Sequence, residues 1–184
     1  MQVREVVPLD PESCSEADIT DILGAFYRVL APDNDTAKAI ADRFSYGPGW
    51  PDRGAVPFTS ATKWSAVNFL DRGAYVIGAP EYVLGQDFAA LEKRTAPYAQ
   101  QGCRVLLLAQ CDGAEIGHLH GVVIPLALLV LENPIRPNAP KVFDYFHTQG
   151  VAVKVISGDN PVTVSAVAAQ AGIQDADRWI DARE

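Results

Sequence analysis

Sulfur and imidazole metal ligands are scarce: the chain has three cysteines, three histidines and one methionine. Cys14, Cys103 and Cys111 lack metal-ligand spacing, and their odd number argues for free thiols in a reducing compartment. His118 and His120 alternate on one expected strand with no carboxylate–cysteine cluster nearby, so no metal site is expected. His147 falls at a helix end, where it favours the dipole. Basic residues are the minority, 15 against 23 acidic, for a formal net charge of -8. That balance excludes a general nucleic-acid-binding surface but leaves room for a small anion on local N–H groups and a few cations. The N-terminus, MQVREVVPLD, alternates like a strand and does not read as a signal peptide. The apolar run Gly121–Leu131 is far shorter than the roughly 20 residues of a spanning helix, so a buried strand and a soluble chain are expected. Nothing reads GxxxxGK[ST], and Gly47-Pro48-Gly49 lies in a loop, which argues against Walker and dinucleotide folds. No internal repeat or low-complexity segment is visible.

What is present supports a real core. Hydrophobic residues make up 48% of 184, enough for one good domain or one and a half small ones. Gln2–Leu9 reads as an edge-like strand. Ser15 followed by Asp18 predicts a helix start, with a helix to about Leu30. Asp35 is expected to open a second helix over Thr36–Phe44, with Ala37, Ile40, Ala41 and Phe44 on its apolar face. Tyr46–Gly54 reads as a loop. Ala55–Ser60, Trp64–Leu70 and Ala74–Ile77 are short apolar runs, the last two joined by the hairpin signal Asp71-Arg72-Gly73. A helix is expected over Asp87–Gln101, ended by Gly102, then strands over Arg104–Gln110 and Leu119–Leu131. This is an α+β arrangement, a largely antiparallel sheet flanked by helices.

The pattern changes at Glu132-Asn133-Pro134-Ile135-Arg136-Pro137. A helix over Asn138–Thr148, a strand over Val151–Ile156, the turn Ser157-Gly158-Asp159-Asn160 and a helix over Pro161–Ala171 follow parallel βαβα logic. Two domains are therefore expected, 1–132 and 133–184. The second stops before a parallel sheet would be finished, so the chain is expected to be part of a larger enzyme.

Several residues carry candidate chemistry. Ser157 and the N–H groups of Gly158 to Asn160 stand where strand passes to helix, a place that suits an anion. An ordinary βα turn in which Ser and Asp cap the helix explains them equally well. Asp159 beside an anion would need a cation or a hinge contact to balance it. In Phe58–Lys63 an aromatic and a lysine flank a polar turn, so a base can stack on one while a phosphate meets the other. A core Phe and a solvated Lys are the bland alternative. Arg104 at a strand end can reach a phosphate or serve as rim charge, and Asp35 before a helix is an expected N-cap.

Together these segments resemble the cytoplasmic part of P-type cation-transporting ATPases over nearly the whole chain. In that family a nucleotide-binding domain is inserted into a haloacid-dehalogenase-like phosphorylation domain. Val155-Ile156-Ser157-Gly158-Asp159-Asn160, with Thr163 to Ala168 behind, is similar to its hydrophobic-(Thr/Ser)-Gly-Asp signature. Asn133-Pro134-Ile135-Arg136 resembles its Asp-Pro-x-Arg hinge. The resemblance makes Phe58 the adenine-stacking ring, Lys63 an ATP contact, Arg104 a phosphate-reaching arginine, and Asp35 the carboxylate facing the adenine amino group. It adds Gly78 and Arg136 to the binding set, and gives Ser157 and Asp159 catalytic duties in the intact parent only. ATP and Mg2+ are the implied cofactors. The remaining phosphorylation domain, an actuator domain and a transmembrane domain are the implied partners, in a cell-membrane parent with this part on the cytoplasmic side.

The departures matter. Ile77-Gly78-Ala79-Pro80-Glu81 stands where the family usually has Lys-Gly-Ala-Pro-Glu, so one cation is lost from the pocket and nucleotide binding should weaken. Asp35 is shorter than the usual Glu, whereas Ser157 keeps the Thr hydroxyl. The family's phosphorylated aspartate motif and its Gly-Asp-Gly-x-Asn-Asp motif are absent from the sequence, so the chain alone is expected to bind nucleotide without forming an aspartyl phosphate. The absence of a His-Pro pair disfavours a heavy-metal pump, and the short nucleotide domain resembles bacterial calcium or magnesium pumps. The competing readings are a non-catalytic regulatory domain of the same fold and a haloacid-dehalogenase-type phosphatase. The latter lacks an early DxD motif in Met1–Leu9. The unfinished sheet is expected to favour a weak dimer or poor order beyond Asn133.

Overall fold

In the computed structural model, which describes residues 1–181, apolar alternation builds one sheet covered on both faces. Six strands lie in the order β1-β8-β5-β4-β3-β2. They are β1 (Gln2–Pro8), β2 (Asp52–Val56), β3 (Trp64–Phe69), β4 (Gly73–Gly78), β5 (Arg104–Cys111) and β8 (Ile124–Glu132). The β2/β3, β3/β4 and β4/β5 pairs are antiparallel. A separate small ribbon pairs β6 (Gly113–Glu115) with β7 (His118–His120). The β3–β4 hairpin turns through Asp71 and Gly73, both at positive φ (62° and 71°), as its sequence signal requires.

The strands bury alternate residues against different helices. Val67, Phe69, Tyr75, Ile77 and Leu108 share one cluster with Ile19, Leu23 and Phe26 of α1 (Glu16–Val29) and Ile40 of α2 (Asp35–Arg43). Trp64, Ala66, Val76, Leu107 and Ala109 share the other with Val83 of α3 (Pro80–Leu84) and Leu91 of α4 (Ala89–Gln100). A short 3-10 turn, Gly85–Phe88, joins α3 to α4, and Gly102 follows α4 at φ 78°. The α1 start carries a full capping box: Asp18 N–H donates to Ser15 Oγ, and Ser15 N–H donates to Asp18 Oδ2.

The chain divides into two compact units. Met1–Leu91 with Val105–Leu131 form the first, and Glu92–Arg104 with the described residues from Glu132 onward form the second. Within the second, α5 (Ala139–Thr148) and α6 (Pro161–Gln170) occur where expected. Gln170 donates to the Gln101 carbonyl and Thr163 to the Cys103 carbonyl. No described helix is long and apolar enough to cross a membrane.

Four expectations are corrected. Val151–Ile156 is not a strand: among the described residues no neighbour offers it a ladder, and a parallel strand has no hydrogen bonds without one. Leu119–Leu131 is not one strand, because Gly121 (φ 75°) breaks it and the Asp112 N–H returns to the His120 carbonyl. Tyr46–Gly54 is not loop throughout, since Asp52 and Gly54 belong to β2, whose register shifts between Asp52 and Ala55, a bulge accommodated by Gly54 at φ 105°. Asp35 is not the N-cap of α2: Asn34 takes that place, its side chain accepting from the Ala37 N–H at 2.9 Å, and Asp35 is the first helical residue.

Candidate functional site

The first group of candidates meets where β2 gives way to β3. Pro57 ends the β2 ladder, and the Phe58 ring is left 40% exposed. The chain then turns on two threonines. Their hydroxyls lie 2.7 Å apart, the Thr62 N–H donates to Thr59 Oγ1, and the Lys63 N–H donates to the Thr59 carbonyl at 2.9 Å. Lys63 is half-buried and sits in the left-handed region at φ 60°, uncommon for a residue with a Cβ. Its carbonyl accepts from the Ala79 N–H at 3.0 Å, tying the turn to the end of β4. Trp64 stands opposite Gly78 in the β3–β4 ladder. A Cβ on Gly78 would lie 2.3 Å from the Trp64 Cβ and 2.7 Å from the Lys63 carbonyl oxygen. The missing side chain at Gly78 thus lets two backbones approach at Lys63 and Trp64.

Ile77, adjacent to Gly78, is 3% exposed and belongs to the core cluster under α1 and α2. Position 77 contributes packing where the resemblance implied a cation. Asp35 stands on a different element of the same unit, exposed in the first turn of α2.

A second group forms within the other compact unit. Arg104 Nη2 is ion-paired with Asp159 Oδ2. The cation that Asp159 was expected to need is therefore Arg104. Their side chains are 35% and 53% exposed, so the pair is worth at most about 1 kcal/mol in solvent-screened surroundings. The Asp159 N–H donates to Ser157 Oγ. Neither Ser157 nor Asp159 caps α6; Asn160 does, accepting from the Val162 and Thr163 N–H groups. The turn thus reserves Asp159 for Arg104 and leaves capping to its neighbour. Arg136 is exposed, and its carbonyl accepts from the Ala139 N–H as the chain enters α5.

Sequence reasoning missed Thr59 and Thr62, although two threonines three apart across a polar turn are a legible signal for a hydroxyl-stabilised turn. It also missed a cleft of about 280 Å³ lined by Tyr27, Arg28, Phe44, Ser45 and Tyr46 beside Gly24 and Gly47. Burial, reinforced by Asp33, pushes the Tyr27 phenol above its ordinary range, so it stays protonated there. The three cysteines are buried, and burial raises the Cys14 and Cys111 thiols, which suits packing better than nucleophilic chemistry. Among the described residues no group of three or more His, Cys, Asp or Glu side chains is arranged to hold a metal ion.

No protein-family model matches the chain. It is 46% identical over 176 residues to calcium-transporting ATPase CtpE of Mycobacterium tuberculosis, covering 94% of this chain and 22% of that protein. It is 42% identical over 165 residues to the protein of that name in Mycolicibacterium smegmatis, covering 89% and 21%. It is 39% identical over 186 residues to the probable cation-transporting ATPase exp7 of Streptococcus pneumoniae, covering 98% and 23%. The chain belongs to the P-type ATPase family. It spans about a fifth of the length of these curated relatives.

Proposed function

We propose that this chain is the ATP-presenting cytoplasmic portion of a longer ion-translocating P-type ATPase. Residues 1–132 serve as its nucleotide-binding domain and 133–184 as part of its haloacid-dehalogenase-like phosphorylation domain. One observation carries the reading. The exposed Phe58 ring and Lys63 sit at the two ends of one hydrogen-bonded turn, locked against the end of β4. A flat aromatic face and an ammonium joined this way suit a base and a phosphate of one ligand. The family resemblance assigns Arg104, in the other compact unit, to phosphate, and Asp35 to the adenine amino group. Ser157, Asp159 and Arg136 belong to phosphate handling and closure in the longer protein. Mg2+ accompanies the nucleotide. The phosphoryl acceptor, the actuator domain and the membrane domain lie in the rest of that protein. Calcium is the ion we favour, because the mycobacterial relatives carry that name; magnesium is the alternative.

Two observations favour a second reading, a regulatory domain that has lost nucleotide. Ile77 is core rather than pocket cation, and Arg104 is already engaged by Asp159. An ATP titration followed by amide NMR, with and without Mg2+, separates the two. Saturable shifts around Phe58, Lys63 and Arg104 are expected, with affinity falling about tenfold or more in Phe58→Ala, the loss typical of one base–aromatic stack. No shift at millimolar ATP overturns the nucleotide reading and leaves the regulatory one.

A further inference from the structure

We propose that Thr59 is a positioning residue for the phosphate end of the nucleotide, acting through Lys63; this rests on the nucleotide reading above. Lys63 has a left-handed backbone (φ 60°) without glycine's freedom to adopt it. Such a conformation persists at a side-chain-bearing residue only when its surroundings over-determine it. Here two anchors do so. Behind Lys63, its carbonyl accepts from the Ala79 N–H at 3.0 Å. In front, its N–H donates to the Thr59 carbonyl at 2.9 Å, while Thr59 Oγ1 accepts from the Thr62 N–H at 3.1 Å and lies 2.7 Å from Thr62 Oγ1. Thr62 Oγ1 in turn reaches the Trp64 carbonyl at 3.4 Å, where β3 begins.

Thr59 is thus the residue on which the turn closes, and it follows Phe58 directly. The same two groups, the Thr59 carbonyl and hydroxyl, fix the separation between the backbone positions that carry ring and ammonium. Without the hydroxyl, the front anchor is reduced to backbone bonds, and Lys63 is freed to relax toward the right-handed region. Phe58 precedes the turn and lies outside its hydroxyl bonding, so the base end of the ligand loses little while the phosphate end loses its pre-set cation. The Thr59 hydroxyl belongs to the turn's internal bonding, which makes its effect indirect.

The test is calorimetric titration of the chain with ATP and, separately, with adenosine. The variants are Thr59→Ala, Thr59→Ser, Thr62→Ala, Lys63→Ala and the Thr59→Ala/Lys63→Ala double. Thr59→Ala is expected to weaken ATP about fivefold, the loss of one hydrogen bond, with adenosine unchanged. Thr62→Ala, which breaks the same hydroxyl pair from the other side, should do likewise, and Thr59→Ser should restore the wild-type value. The cost of Lys63→Ala should shrink in the Thr59→Ala background, because a displaced ammonium has less to lose. Equal weakening of ATP and adenosine, or additive losses, would show a general role in loop stability and overturn the proposal. ATP affinity unchanged in Thr59→Ala, with a wild type that binds, overturns it alone. A wild type that binds no ATP overturns both it and the nucleotide reading.

Discussion

Asp18 shows how one carboxylate sets the acid response of an element. Its carboxylate accepts from the Ser15 hydroxyl and backbone N–H, and those bonds, the side-chain one foremost, hold its pKa below the ordinary 3.8. A carboxyl depressed in the folded state adds stability that is fully present above its unfolded pKa and is lost as pH falls through the folded one. At neutral pH the wild type should therefore be more stable than Asp18→Asn. The gap should narrow once the pH drops below about 4. Thermal unfolding of both proteins between pH 7 and pH 3 reads this directly, and a gap independent of pH would show that the capping box is not the source. Ser15→Ala should cost about 1 kcal/mol at neutral pH, since it strips the other half of the same box. At this scale the sequence was legible wherever chemistry is local. Ser15 and Asp18 three apart are a capping signal, and the structure closes both bonds. Asn34 and Asp35 show the limit, because either can cap a helix and only the backbone geometry at Asn34 decides between them.

Elements here are placed by close backbone approach as much as by side-chain packing. Gly24 lies mid-helix in α1, where alanine would ordinarily add about 1 kcal/mol of helix propensity. A Cβ there would stand 2.1 Å from the Tyr46 carbonyl oxygen, and one on Gly47 would stand 2.2 Å from the Gly24 carbonyl carbon. Neither obstacle is a flexible side chain, so the loop after α2 must move away. Gly24→Ala is expected to lower stability by about 1–3 kcal/mol despite the better propensity. Denaturant unfolding would show it, and a neutral or stabilising result would mean the loop yields freely. This contact was invisible in the sequence, where Gly24 reads as a tolerated glycine and Gly47-Pro48-Gly49 as a loop. The strands were legible for the opposite reason. Trp64–Phe69, Gly73–Gly78 and Arg104–Cys111 are bounded by turn residues and bury both faces, so composition alone sets their extents. Phe58, Lys63 and Gly78 were legible as a set only through resemblance. Their juxtaposition depends on the Trp64–Gly78 register and on a left-handed residue, which no periodicity encodes.

For the whole molecule, the decisive contrast is between a sheet finished on both faces and an apolar segment that has no ladder. Val151–Ile156 has the composition of a buried parallel strand, yet Val151, Val155 and Ile156 are 50%, 50% and 98% exposed. Periodicity could not reveal this, because a strand's existence depends on a neighbour rather than on its own residues. Backbone outside any described ladder, together with exposed β-branched side chains, is a template for pairing with another chain. In the longer protein proposed above, other segments would supply that pairing. For this chain alone, a second copy is the available partner. We therefore expect concentration-dependent association that is weak, because six residues bury far less than the roughly 1,200 Å² of a stable interface. Ile156→Lys should suppress it by placing a charge on the pairing segment, with melting of the first compact unit unchanged. Light scattering across a concentration series, paired with limited proteolysis, measures both quantities. A strict monomer whose segment beyond Asn133 resists protease would mean that α5 and α6 already shield Val151–Ile156 well enough, and that its exposed side chains need no partner.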